Sequence, residues 1–223
     1  MSNLRKFGLG IACCLFAVIP AIAQMGMHGG PPQFRGIWNP VVGSGAAYEV
    51  QSKDGQKSNM EIAIVGKESV AGKDGYWFEM TMVNPRMNGV VLVKNLMVTD
   101  GENVTVSRMI MQMPGSGPME MPAQMMQMHH QPQSADIRKE AEDVGPESVT
   151  TPAGTFACEH YRLKDGSGDS WVSQKAAPYG LVKFQGKDTS MVLTKVITDA
   201  KDKITGTPQP FNPMGMMQHP PEQ

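Results

Sequence analysis

Cysteine is scarce in this 223-residue chain, and the count of three overstates it. Cys13 and Cys14 lie in an N-terminal segment expected to be removed, which leaves Cys158 alone and rules out an intramolecular disulfide. An unpaired cysteine in an exported chain is buried, a ligand or an intermolecular partner, and burial is the ordinary outcome. Long apolar runs are missing too. Gly8–Ile19 is too short to span a bilayer, and no later run reaches the roughly 18–20 residues a membrane helix needs. No cluster of Lys and Arg marks a nucleic-acid face. The leader carries Arg5 and Lys6 of the 20 basic residues and none of the 21 acidic ones, so the mature chain sets 18 bases against 21 acids. Catalytic signatures are also absent: there is no G-x-S-x-G, H-E-x-x-H, C-x-x-C or phosphate loop. The chain is therefore expected to be non-enzymatic.

The N-terminus supplies an address. Arg5 and Lys6 precede an apolar core, and Ala21-Ile22-Ala23 places small residues where signal peptidase requires them. Residues 1–23 are expected to be a signal peptide cut between Ala23 and Gln24, which makes the protein periplasmic or secreted. Lipidation at Cys13 is the weaker alternative, because Gly10-Ile11-Ala12 lacks the usual Leu-like residue three positions before the cysteine.

Residues 24–45 hold six glycines and three prolines and read as a flexible lead-in, with Trp38 and Val41-Val42 available to dock. From Ala46 the hydrophobic period becomes two. Tyr48 and Val50 alternate with polar neighbours, as do Met60, Ile62 and Ile64, and then Tyr76, Phe78, Met80 and Met82. Turns are expected at Lys53–Gly55, Gly72–Gly75, Asn84-Pro85, Asn88-Gly89 and Asp100-Gly101. A second block follows with strands expected at 147–150, 155–163, 169–174, 180–184 and 189–198. A short helix opening at Ser134 would place Ile137, Ala141 and Val144 on one side and stop at Gly145-Pro146. The expected fold is mainly β: one curved antiparallel sheet or open half-barrel of nine or ten strands over 46–198, with at most one or two short helices. The termini are expected to be disordered, the C-terminal one as a Pro/Met-rich tail over 199–223.

Between the blocks lies a Met/Pro-rich insertion, 109–134. Met109–His130 contains eight of the 20 methionines, and Glu120 is the only charged residue from Met109 to Ser134. Met109–Met113 alternates and finishes a strand, whereas Pro114, Pro118 and Pro122 forbid regular structure after it. Two readings compete. Tyr76, Phe78, Met80, Met82, Met109, Met111 and Met113 would line the concave face for an apolar small molecule, a lipid or an exported partner protein. Alternatively Met119, Met121, Met125, Met126, Met128, His129 and His130 would bind Cu(I) or Ag(I), since thioether and imidazole donors suit soft ions. His28 and His219 also sit in Met clusters. Cys158, Glu159 and His160 are a poor thiol site, because Cys158 and His160 share a strand face and Glu159 points away.

The second block carries a resemblance. Val149–Phe156, Cys158, Trp171-Val172-Ser173 and Tyr179–Lys183 resemble a pattern in exported bacterial proteins of unknown function thought to share the half-barrel of the lipoprotein-carrier (LolA-like) superfamily. The resemblance implies a curved sheet with an apolar concavity. The familiar carriers plug that concavity with helices, where this chain offers a Met/Pro segment.

Overall fold

The computed structural model describes residues 34–84, 89–101, 103–124, 126 and 133–211. The expected signal peptide, the lead-in before Phe34, and the tail after Phe211 lie outside the described residues, as do Met125, Met128, His129 and His130. Among the described residues no helix is long and apolar enough to cross a membrane.

The described residues form one open, curved sheet, antiparallel except where β13 pairs with β6. Its strands are β1 (Gly45–Ser52), β2 (Lys57–Val70), β3 (Lys73–Asn84), β4 (Gly89–Asp100), β5 (Asn103–Gln112), β6 (Met119–Glu120), β7 (Gln133–Ser134), β8 (Ala141–Thr151), β9 (Gly154–Leu163), β10 (Gly168–Val172), β11 (Leu181–Gly186), β12 (Thr189–Ile197) and β13 (Gln209–Pro210). Their spatial order is β13-β6-β5-β4-β3-β2-β1-β12-β11-β10-β9-β8, with β7 also beside β5. β1 to β5 meander outward from the middle, the insertion carries the chain to the opposite edge, and β8 to β12 meander back until β12 pairs with β1. Ten of the strands have five or more residues, as the alternation of the sequence implies.

Three local expectations are corrected. The turn placed at Gly72–Gly75 falls instead at Ala71-Gly72, where φ is 49° and 80°. Two successive positive φ values are the turn that matches the twist of the flanking strands, so Lys73–Gly75 belong to β3. The helix expected from Ser134 is only a 3-10 turn, Ile137–Lys139, whose N-terminus is capped by Asp136. Ala141 onward is strand. β8 lies at the sheet edge, where Pro146 removes no needed donor, and a bulge between Asp143 and Gly145 absorbs Val144. Finally, the chain after Asp199 docks on the sheet as far as Phe211. Ile204 is buried there, and β13 runs parallel to β6.

One large core runs from Val91 and Val93 through Ile62, Tyr48 and Leu193 to Trp171 and Phe156. A smaller cluster of Ile137, Ala141, Tyr161, Leu163 and Val172 lies beside it. Phe34 and Trp38 from the lead-in join the main core. Phe34 stacks on Tyr179 at 5.0 Å and meets Phe78 edge-on at 5.7 Å, while Trp38 lies 4.9 Å from Tyr179 and 6.1 Å from Phe78. Backbone bonds hold this segment down: Ile37 N donates to Tyr179 O, Asn39 N to Pro178 O and Trp38 N to Ala135 O. Val41 and Val42 stay about half exposed, so only the aromatic part of the lead-in docks.

Gly36 makes this approach possible, because a Cβ there would lie 2.1 Å from the Tyr179 carbonyl oxygen. Gly36→Ala is expected to lift Phe34 and Trp38 off the sheet and to destabilise the protein by about 1–3 kcal/mol, the usual range for overpacking. A urea melt with Trp emission would measure it, and an unchanged midpoint would refute the contact.

Candidate functional site

β3 presents Tyr76, Phe78, Met80 and Met82 to the inner face, and Trp77, Glu79 and Thr81 to the outer one. β5 adds Met109 and Met111 to the inner face, and Met113, just past the strand, packs against the same core. Strand register aligns these side chains in rows. Ile62, Met80, Val93, Met111 and Met119 follow one another across β2 to β6. Met60, Met82 and Val91 form the next row, and Ile64, Phe78, Asn95 and Met109 the one on its other side. The seven residues expected to line the concavity all lie in or against one core. Phe78, Met80 and Met109 are buried, while Tyr76, Met82, Met111 and Met113 are half-buried against them.

The inner face is not uniform. At the level of Phe78 it is filled by the chain itself, through Phe34, Trp38 and Tyr179. Met121 and Met126, two of the expected metal residues, pack into the same core, so this part of the insertion is a cover. Met126 N donates to Pro122 O in a single helical turn. Toward the β5–β6 hairpin the face opens, and Met82, Met111, Met113, Met119 and Met121 are all only half-buried. Thioether side chains suit such a boundary, being apolar, polarisable and free to re-pack.

No family model matches the chain, and no curated protein matches it. Among solved structures it is similar to a candidate lipoprotein from Parabacteroides distasonis ATCC 8503, with 15% identity and a TM-score of 0.36, covering 74% of this chain and 100% of that one. It is also similar to a candidate exported protein with a YmcC-like fold from Bacteroides fragilis NCTC 9343, with 12% identity and a TM-score of 0.35, covering 72% of this chain and 98% of that one. Likeness at that level carries no argument about ligand or role.

A shallow cavity of about 550 Å³ lies beside the aromatic segment, lined by Ile37, Trp38, Pro40, Tyr76, Asp136 and Arg138, among others. Arg138 is already held by Asp136 through paired hydrogen bonds, which keeps that carboxyl below the usual carboxylate range. Trp38 Nε1 is buried without a partner.

Cys158 and His160 do not form a thiol–imidazole pair. Cys158 is buried, and its Sγ donates to Phe156 O at 3.7 Å. His160 engages Asp169 through Nε2 at 2.8 Å and approaches Glu147 through Nδ1 at 3.4 Å. Its ring stacks on Trp171 at 4.4 Å, and Lys183 Nζ sits 4.4 Å from the same indole. Trp171 Nε1 donates to Glu147 at 2.6 Å. In register these residues make a ladder across β9, β10 and β11, a cross-strand packing unit.

The outer face holds a feature that periodicity gave no sign of. Glu79 is only 2% exposed on a face expected to be wet. Both its oxygens accept from Lys203 N at 3.2 Å, and Asp202 binds Lys94, the cross-strand neighbour of Glu79, at 2.5 Å. Lys203 Nζ reaches Glu61 and Thr81. Lys94 and Arg108 both lie 5.2 Å from the Trp77 ring. Residues 199–204 thus form a polar strap across β2, β3 and β4. Burial, and then the hydrogen bond with the Asp202 carboxyl, raises the Glu79 carboxyl to about 7.

Two measurements follow. Burial, with Glu147 and Glu159 nearby, pushes the Cys158 thiol up to about 11. The native mature chain is therefore expected to resist an aromatic disulfide reagent at pH 8 and to react at once in denaturant. Fast native labelling would contradict the burial. Glu79 retains in the folded state a proton that the unfolded chain releases, so its contribution to stability falls as pH rises from about 4.5 to about 7. Relative to wild type, Glu79→Gln is expected to flatten the decline of the urea midpoint across that window. Parallel pH profiles would show that Glu79 does not titrate there.

Proposed function

We propose that this chain is a non-catalytic, exported binding protein that takes an apolar ligand or partner on the methionine end of its inner face. One observation carries the reading: five half-buried methionines, Met82, Met111, Met113, Met119 and Met121, continue the buried core toward solvent at one end of the sheet. A core that ended in water would normally close with polar or charged side chains. Thioethers at that boundary accept varied apolar shapes, as Met-rich binding surfaces do. The leader supports export, with cleavage between Ala23 and Gln24. The resemblance of residues 149–183 to the lipoprotein-carrier superfamily supports an apolar inner face. The aromatic segment around Phe34 limits a ligand to the open end, so a long acyl chain would lie along β3–β6 rather than enter the whole concavity.

The reading is tested with the full mature chain and an environment-sensitive naphthylamine probe, displaced by palmitate. The wild type is expected to bind the probe. Met82→Gln with Met111→Gln is expected to weaken it about tenfold, equivalent to roughly 1.4 kcal/mol. Native mass spectrometry of protein taken from the periplasm reports any lipid already carried. Absence of both probe binding and co-purified lipid would refute the apolar-ligand reading.

A further inference from the structure

We propose that the inner face of the β5–β6 hairpin is a soft-metal site that takes Cu(I) or Ag(I) on the thioethers of Met109, Met111, Met119 and Met121. This goes beyond apolar binding, and it divides the methionines differently from either sequence reading. The sequence separates Met109–Met113 from Met119–Met128 by a proline-broken loop. The fold brings the two groups together. Met111 is the direct cross-strand partner of Met119. Met121 N donates to Met109 O at 2.9 Å, which sets Met121 opposite Met109 one step along the ribbon. Ile110 and Glu120, the pair in between, take the other face, where Glu120 binds Arg108. The result is a two-by-two grid of thioethers on one face. Opposed Cβ atoms in such a ribbon are about 5 Å apart and same-strand neighbours about 7 Å apart. Three rotatable bonds in each methionine let the sulfurs converge on one ion without backbone movement.

The surroundings suit a site. Met109 is buried and supplies an apolar floor, while Met111, Met119 and Met121 are half-buried and leave an entry. The hairpin is pinned on both sides of the grid. Arg108 grips Glu120 at 2.7 and 3.2 Å on the far face, and Ser116 closes the turn through Met113 N and O. β13 then braces β6, with Gln209 beside Met119. The donor chemistry selects the ion. Four neutral, soft sulfurs offset little positive charge, which favours a monovalent soft cation over Zn(II) or Ca(II).

The test is an anaerobic titration of the full mature chain with Cu(I) against bicinchoninate. X-ray absorption on the loaded protein gives the donor atoms. The wild type is expected to hold Cu(I) with a sulfur-dominated shell. Met111→Leu with Met119→Leu, a swap that usually costs less than about 1.5 kcal/mol of stability, is expected to weaken binding at least about tenfold. Met125→Leu, Met126→Leu and Met128→Leu together are expected to leave it within about twofold of wild type, since none of the three belongs to the proposed donor set. Three outcomes would overturn the site: no competition with the chelator, undiminished binding in the folded Met111/Met119 variant, or a nitrogen-dominated shell, which would put the ion on the His-bearing tracts. The absorption result needs no variant, so it decides the matter even if the substitutions unfold the hairpin. Probe binding and Cu(I) binding are read separately, so either proposal can fail alone.

Discussion

Two antiparallel meanders meet where β1 lies against β12, and five aromatic side chains brace that seam from the inner face. Tyr48 stands on β1, buried, with its hydroxyl donating to Leu181 O at 2.9 Å. Phe78 comes from β3, Tyr179 from the loop before β11, and Phe34 and Trp38 from the lead-in. Each ring pair adds about 0.5–1.5 kcal/mol beyond the area it buries. The geometry matters more than the sum. An open sheet with one apolar face must be covered, and the covering here includes the segment from Phe34 to Asn39. Gly36 permits the close approach, and the backbone bonds from Ile37 and Asn39 fix its register.

That covering divides the inner face into two physical regimes. Near the seam, flat rings with few rotamers meet in fixed edge and stacked geometries. Toward the β5–β6 hairpin, methionines replace the rings and the burial falls. A rigid end and a pliable end thus share one continuous core. The outer strap works in the same direction. Glu79, Lys94, Asp202 and Lys203 tie the middle strands from behind, so re-packing of the thioethers in front need not bend the sheet.

The strands were legible because the alternation is strong and Gly, Asn and Asp punctuate it. The face taken by the residues expected to line the concavity was legible for the same reason, since period two assigns a face directly. β8 was not. Its sequence, with Glu142, Asp143, Gly145 and Pro146, has low strand propensity, and only an edge position with a bulge makes it acceptable. The strap was invisible because its contacts join residues more than 100 positions apart through charge, and periodicity reports none of that. The docking of Phe34 was missed because a Gly/Pro-rich lead-in looks flexible from composition alone. The two methionine groups were assigned separate roles because Pro114 and Pro118 break the pattern between them. Those prolines lie in and after the turn that folds one group against the other, so the signal for separation was the device of approach.

The sheet edges limit how a partner can bind. β8 is guarded by Pro146, by the bulge at Val144 and by acidic side chains, and the opposite edge is broken into the short strands β6, β7 and β13. Edges of that kind resist the addition of a foreign strand. Recognition through backbone hydrogen bonding is thereby disfavoured on both sides, and what the fold offers instead is side-chain surface. The half-buried methionines Met82, Met111, Met113, Met119 and Met121 form one apolar part of that surface. Leucine would bury as much area at those positions, but its branched chain is stiffer and it carries no donor. Methionine retains apolar contact, adaptability and a soft lone pair in one side chain, so the two proposed ligands, an apolar guest and a monovalent soft ion, would compete for the same patch.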